Sequence, residues 1–380
     1  MTEWKEYKFS DFVEINPSVK IPKGIPVSFV EMKDLDCSVR YCESSQLKEL
    51  TGGSRFMNGD TLFARITPCL ENGKICQVRN LKNGYGFGST EFHVFRGKEG
   101  VSDNDFVYYL SRWDEVRDFA EHNLEGSSGR QRVSKEAFDN LFLILPPLPT
   151  QRRIATILSS LDDKIDLLHR ENATLEQMAE TMFRQWFVVE AKEEWDEKPL
   201  SSIAIFLNGL ACQKYPPKNE IDKLPVLKIR ELSSGIGNDS DWATTDVGKE
   251  YIVRAGDVIF AWSASLMVKI WDGEDCILNQ HLFKVTSDKY PKWFYYFWCK
   301  HHLDEFISIA QSHATTMGHI KRNDLDTAMV LVPSEKELQS MSMQMNGILQ
   351  KIENNNKQIH TLIQTRDGLL GRLMNNEIKL

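Results

Sequence analysis

The sequence repeats itself, and each copy runs into a long stretch of helical periodicity. Trp4-Lys5-Glu6 returns as Trp195-Asp196-Glu197, 191 residues later. Gly59-Asp60-Thr61-Leu62-Phe63-Ala64 returns as Gly256-Asp257-Val258-Ile259-Phe260-Ala261 at an offset of 197, and Phe106-Val107-Tyr108-Tyr109-Leu110 as Trp293-Phe294-Tyr295-Tyr296-Phe297 at 187. Offsets that drift by a few residues are what surface-loop insertions produce. Solenoid units recur every ~20–50 residues, so this is a duplicated domain with a helix after each copy. A chain of this kind presents two similar but non-identical faces. That suits a bipartite, pseudo-two-fold target, of which duplex DNA is the commonest.

The helical stretches carry heptad seams. Ile154, Leu158, Leu161, Ile165, Leu168, Asn172, Leu175, Ala179, Met182 and Trp186 step by four and three, with Asn172 the one polar member. Pro149 falls in the first turn, where a missing N–H costs nothing. In the second copy Ser334-Glu335-Lys336-Glu337 fits a capping box, and Leu338, Met341, Met345, Ile348, Ile352, Asn355, Ile359, Leu362, Arg366, Leu369 and Leu373 continue the pattern. Each helix alone would expose its apolar seam, so the two are expected to pair, and the internal symmetry favours an antiparallel pair. Placing Trp186 level with Met341 puts Asn172 opposite Asn355, a polar layer that fixes register at a cost in stability. Met343 falls off the seam. The domains predicted are 1–147, a first long helix 148–190, a second domain 191–333 and a second long helix 334–380.

Within the first copy, residues 25–30, 61–66, 91–96 and 141–145 read as strands, Gly52-Gly53, Asn58-Gly59, Asn72-Gly73 and Asn83-Gly84 as turns, and 103–122 as a helix. No stretch reaches the ~18 apolar residues of a membrane span, and no secretory signal is visible, so a cytoplasmic protein is expected. Seven cysteines without a C-x-x-C pair fit reduced, structural thiols. The net charge of −8 is unusual for a nucleic-acid binder. Positive charge is instead local. Between Gly52 and Gly88 stand Arg55, Arg65, Lys74, Arg79 and Lys82 against Asp60 and Glu71. The Gly/Ser-rich loop 126–135 holds Arg130, Arg132 and Lys135 and no acid.

These features resemble the DNA-specificity (S) subunit of Type I restriction–modification systems, over essentially the whole chain. The strongest part is Leu145-Pro146-Pro147-Leu148-Pro149-Thr150-Gln151-Arg152-Arg153-Ile154-Ala155-Thr156-Ile157-Leu158, continued by Leu161-Asp162-Asp163-Lys164-Ile165. The opening Trp4-Lys5-Glu6-Tyr7-Lys8-Phe9-Ser10-Asp11, the Gly-Asp-x-x-Phe-Ala element and the Asn279-Gln280 step fit the family's target-recognition domains. The second helix entry departs from the pattern, with one Pro and Glu in place of Gln in Val332-Pro333-Ser334-Glu335-Lys336-Glu337. The resemblance implies an α+β fold of two target-recognition domains separated by a pair of long antiparallel helices forming a coiled coil. It also implies a recognition subunit that is not itself catalytic. Each domain would read one half of a split double-stranded DNA site, and the helices would set the spacer. Two modification (methyltransferase) subunits would dock, joined by restriction (nuclease/translocase) subunits. S-adenosylmethionine, ATP and Mg²⁺ would sit on those partners, and no cofactor on this chain.

The DNA-contact candidates in the first copy are Arg55, Arg65, Thr67, Lys74, Arg130, Arg132 and Lys135. In the second they are Lys228, Arg230, Ser263, His313, Thr315, His319, Lys321 and Arg322. Glycine and serine let backbone approach phosphate, and Arg takes guanine bidentately. The bland reading of each is a solvated surface charge or ordinary turn chemistry. Trp262 reads as packing rather than base contact. The seam candidates are Leu161, Ile165, Leu168, Asn172, Leu175, Ile348, Ile352, Asn355, Ile359 and Leu362. His301-His302 beside Cys299 lack a second spaced pair for a metal. Asn16-Pro17-Ser18 lacks the second Pro and the aromatic of an adenine-methyltransferase site. No G-x-x-x-x-G-K-[ST] phosphate loop occurs. A self-contained methyltransferase or nuclease is therefore disfavoured, and a protein-only coiled-coil adaptor stands as the other alternative.

Overall fold

The computed structural model describes residues 3–127, 129–237, 239–312 and 318–380. The chain forms two compact units, one of residues 1–169 with 358–380, the other of residues 170–357.

In the first unit Lys5–Lys8 pairs antiparallel with Phe142–Leu145, closing the domain on itself. A five-stranded sheet runs in the order Val13–Ile15, Phe92–Gly97, Thr61–Ala64, Ile75–Val78, Tyr41–Cys42. A four-stranded sheet runs Gln46–Glu49, Pro26–Val30, Tyr85–Gly88, Ser54–Met57, with the two middle strands parallel. The strand Thr61–Ala64 is buried at every residue, its Leu-Phe-Ala run covered on both faces. The helix expected over 103–122 is two helices, Asn104–Arg112 and Asp114–His122, because Trp113 between them has extended backbone. Asp103 caps the first of them through the amides of Asp105 and Phe106.

The second unit repeats the plan. Asp196–Pro199 pairs with Met329–Val332. One sheet runs Ile205–Asn208, Leu282–Thr286, Val258–Ala261, Met267–Ile270 and the other Trp242–Thr244, Lys223–Leu227, Cys276–Leu278, Ile252–Val253. Here too the two middle strands of the second sheet, Lys223–Leu227 and Cys276–Leu278, are parallel. The repeated Gly-Asp pair has a structural cause. Gly59 and Gly256 take positive φ, 88° and 96°, which glycine adopts without strain. The following Asp60 and Asp257 then turn back to accept the amides of Met57 and Arg254, and each binds a cation, Arg96 at 2.6 Å and Lys284 at 2.7 Å.

The long helices are Leu148–Arg184, extended by a π-helical turn over Gln185–Val189, and Glu335–Met374. They pair antiparallel within each unit. In the second unit Asn355 donates to Asn172 at 2.8 Å and Asn172 donates to Asn356 at 2.6 Å, so the polar layer expected from register is present. In the first unit Ile165, Leu168 and Ile359 form a buried cluster with Leu362 and Ile363 partly buried against it. The seam differs from strict heptads. Leu161 is only half-buried and Asp162 takes the interior position, while Phe183 and Phe187 are buried in place of Met182 and Trp186. A straight α-helix drifts by ~20° per heptad, which moves the buried face one residue onward along this length. Leu175, Ile348, Ile352 and Leu362 are likewise half-buried, and Met343 is exposed.

The expected capping box is present. Glu337 Oε2 accepts from the Ser334 amide at 3.1 Å and hydroxyl at 2.6 Å. The same carboxylate takes Lys192 at 2.5 Å and Trp195 Nε1 at 3.1 Å. The Lys192 ammonium first, then these donors, hold it down to about 2. Glu337→Ala is expected to destabilise the chain by about 1–2 kcal/mol, the range for losing a cap and a partly exposed ion pair. Thermal unfolding with no shift in midpoint would contradict this.

Candidate nucleic-acid interface

Beyond its last residue, the strand Thr61–Ala64 meets the loop strand Arg132–Val133. The Val133 amide donates to Arg65 O at 2.9 Å, the Thr67 amide donates to Gln131 O at 3.0 Å, and Ile66 lies opposite Arg132. The Arg65 amide donates to Glu91 O at 3.0 Å. The second unit builds the same crossing. The Ile320 amide donates to Trp262 O at 3.1 Å, the Ala264 amide to Gly318 O at 3.0 Å, the Trp262 amide to His281 O at 3.4 Å, and Ser263 lies opposite His319. Each repeat therefore sets three segments around one point with the same backbone hydrogen bonds.

The side chains at that point differ. In the first unit Arg132 is not a free cation, since its Nη2 and Nε reach Glu91 at 2.7 and 2.9 Å and its Nη1 reaches Arg130 O at 3.0 Å. The pairing lowers the Glu91 pKa, the Arg132 hydrogen bonds being the main cause and the charges of Arg132 and Arg65 minor ones. Arg65 is half-buried, and its Nε has no hydrogen-bond partner. Arg130 and Lys135 are exposed. In the second unit Trp262 stacks on Phe283 at 5.7 Å and its indole N–H donates to Asn208 at 3.1 Å, which bears out a packing role. His281 and His319 flank that indole, their ring centroids at 5.8 and 6.3 Å. Lys321 and Arg322 are exposed. His313 and Thr315 lie outside the described residues.

Other candidates do different work. Thr67 is buried and its hydroxyl accepts from the Gln131 amide at 3.1 Å, so it anchors the loop. Ser263 is buried and bonds His281 Nδ1 at 3.1 Å. Lys74 donates to Met32 O at 2.9 Å. Arg55 is exposed on the strand Ser54–Met57 of the second sheet. Lys228 is bound to Asp241, and Arg230 to Glu231 at 2.6 Å and Asp239 at 2.5 Å. The charges of Lys228 and Arg230 are thus answered locally. Sequence reasoning missed Glu91 and His281. The signal for both was present, since each directly precedes a strand that the repeat aligns, Phe92–Gly97 and Leu282–Thr286.

Cys299 is buried in the helix Lys292–His301, and His302 contacts Met329 O at 2.9 Å, which is helix packing. Among the described residues no group of three His, Cys, Asp or Glu is placed to hold a metal ion, and no helix is long and apolar enough to cross a membrane.

The comparisons with known proteins agree with this duplicated plan. The HindI specificity subunit of a Type I restriction enzyme from Haemophilus influenzae is 32% identical over 194 residues, 50% of this chain and 41% of that protein. The MjaIX specificity subunit from Methanocaldococcus jannaschii is 24% identical over 310 residues, 74% of this chain and 71% of that one. The match thus spans less than half the length of the Haemophilus relative. A crystal structure of the Type I restriction–modification S subunit from M. genitalium aligns over 98% of this chain and 99% of its own, at a TM-score of 0.53 and 12% identity, a likeness of fold. The profile of the Type I restriction modification DNA specificity domain matches twice, at residues 1–177 and 192–365. With its two copies of that domain covering nearly the whole sequence, the chain belongs to the Type I restriction–modification DNA-specificity family.

Proposed function

We propose that this chain is the DNA sequence-specificity subunit of a Type I restriction–modification complex. Each repeat reads one half of a bipartite duplex site, and the long helices set the spacing between the halves. Two methyltransferase subunits, and restriction subunits with them, assemble on it in the cytoplasm. S-adenosylmethionine, ATP and Mg²⁺ belong to those partners, and this chain supplies recognition and no catalytic group. One observation supports this reading above the others. Two crossings with matching backbone hydrogen bonds carry chemically different side chains, as two different half-sites demand. Purification of the tagged chain from its native cell, followed by mass spectrometry, tests the assembly. An adenine methyltransferase is the expected main partner, and recovery of the chain alone refutes the reading.

The phosphate contribution is testable separately. Because Glu91 holds Arg132, the exposed Arg130 and Lys135 are the better phosphate ligands of the loop. Replacing both by Ala in the assembled complex is expected to weaken DNA binding and lower the slope of log affinity against log salt by about 2. An unaltered slope removes them from the contact set. A chain that binds no DNA in any assembly is instead the protein-only adaptor.

A further inference from the structure

We propose that base discrimination in each half-site is carried by two side chains at the crossing, Glu91 with Arg132 in the first repeat and His281 with His319 in the second. This rests on the DNA-reading function proposed above and names the residues that do the reading.

The repeats keep what folding needs at this point and change what it does not. Most interior positions retain their character. Phe63 and Ala64 are matched by Phe260 and Ala261, and Val133 by Ile320, all of them buried. The backbone hydrogen bonds around the crossing also match pair for pair. Among the interior positions His93 gives way to Phe283, and at the outward positions both side chains change chemical class. A carboxylate at 91 becomes an imidazole at 281, and a guanidinium at 132 becomes an imidazole at 319. Stability of the crossing does not require that change, since the same backbone forms with either set.

Both pairs are also held in place before any ligand arrives, which is what accurate reading requires. Arg132 is fixed on one side by Glu91 and on the other by Arg130 O. His281 is fixed through Nδ1 by Ser263, with Gln280 Nε2 3.4 Å from its other nitrogen. His319 edges the Trp262 ring, and that ring is itself locked by Phe283 and Asn208. The first pair offers a carboxylate acceptor and a guanidinium donor. Together these suit the exocyclic amino group of cytosine or adenine and the acceptor edge of guanine. The second pair offers imidazoles, whose ring nitrogens donate or accept according to the tautomer. The two half-sites are therefore expected to differ in sequence.

The test is selection from a DNA library randomised in both half-sites, using the chain assembled with its methyltransferase partners. Grafting the second pair into the first repeat, Glu91→His with Arg132→His, is expected to change the preferred base at one or two positions of one half-site. Discrimination there should shift by about 10- to 100-fold, with the other half-site unchanged. The reciprocal graft, His281→Glu with His319→Arg, should alter only the opposite half. Selection of the wild-type sequence by both assembled grafts overturns the assignment. Should a graft fail to assemble, Glu91→Gln and His281→Asn are read by the same criterion. A wild-type complex that selects no bipartite sequence refutes the proposed function itself, an outcome distinct from unaltered grafts.

Discussion

Replacing Arg366 by Ala is expected to destabilise the first unit by about 3–5 kcal/mol, the cost of leaving one member of a buried ion pair alone. Arg366 and Asp162 are 3% and 2% exposed and meet at 2.7 Å. The other Asp162 oxygen accepts the Tyr109 hydroxyl at 2.6 Å, and Arg366 Nε reaches Asp367 at 2.8 Å. Burial first, and then the Asp162 charge, keep that hydroxyl protonated far above the usual tyrosine range. Tyr109 also accepts from Arg40 at 3.4 Å, and Arg40 is buried against Gln77 and Asp105. The pair thus joins the helices of the unit to its sheet. The second repeat shows how the same position is filled without charge. The offset of 187 between Phe142 and Met329 carries Asp162 to Leu349 and Arg366 to Ala179, both in an apolar cluster. Asp162→Leu with Arg366→Ala is therefore expected to recover most of the loss, to within about 1–2 kcal/mol of the natural chain, because an apolar pair avoids the desolvation that the ions suffer. Chemical denaturation of the single and double variants decides it. If the two single losses simply add, the pair is not the unit of stability described here.

The parts legible in the sequence were those written twice or set by a local rule. The repeated Gly-Asp element located a strand in each copy because one backbone conformation and one carboxylate are needed there. The Ser334–Glu337 box and the Asn172–Asn355 layer were legible because each is a local rule with a polar signature. The seam slipped where a local rule had to hold over many turns. Leu161 satisfies a 3.5-residue period, but the helix keeps nearer 3.6 and buries Asp162. No pattern signals a buried aspartate until its partner Arg366, about 200 residues away, is brought to it. The surroundings of the basic candidates were hidden for a related reason. Lys228, Arg230 and Arg132 are cations in sequence, but Asp241, Asp239 and Glu91 meet them in space. Charge can be counted along a chain, whereas its neutralisation is tertiary.

That same crossing carries a titration. His93 is fully buried, its Nε2 is 3.0 Å from Val133 O, and its Nδ1 is 3.3 Å from Asn16 Nδ2. The tautomer with hydrogen on Nε2 satisfies both contacts, and it is neutral. Burial is the main reason its pKa falls to about 4 from the ordinary 6.5. The Val133 carbonyl opposes the shift and the Arg65 charge adds to it. A histidine so depressed binds fewer protons folded than unfolded, so its contribution is intact above pH 6.5 and is lost progressively as pH falls toward 4. Between pH 7 and pH 5 the first unit is expected to lose about 2 kcal/mol through this one side chain. The loss acts on the Val133 strand, which presents Arg132, so acid should release the first crossing. The second repeat lacks the titrating group, because Phe283 occupies the equivalent place opposite Phe260 as His93 lies opposite Phe63. His93→Phe is therefore expected to flatten stability against pH over this range while removing the hydrogen bond to Val133. Urea unfolding of both proteins at pH 7 and pH 5 measures it. Equal pH dependence in the two would mean that the acid sensitivity of this unit resides elsewhere.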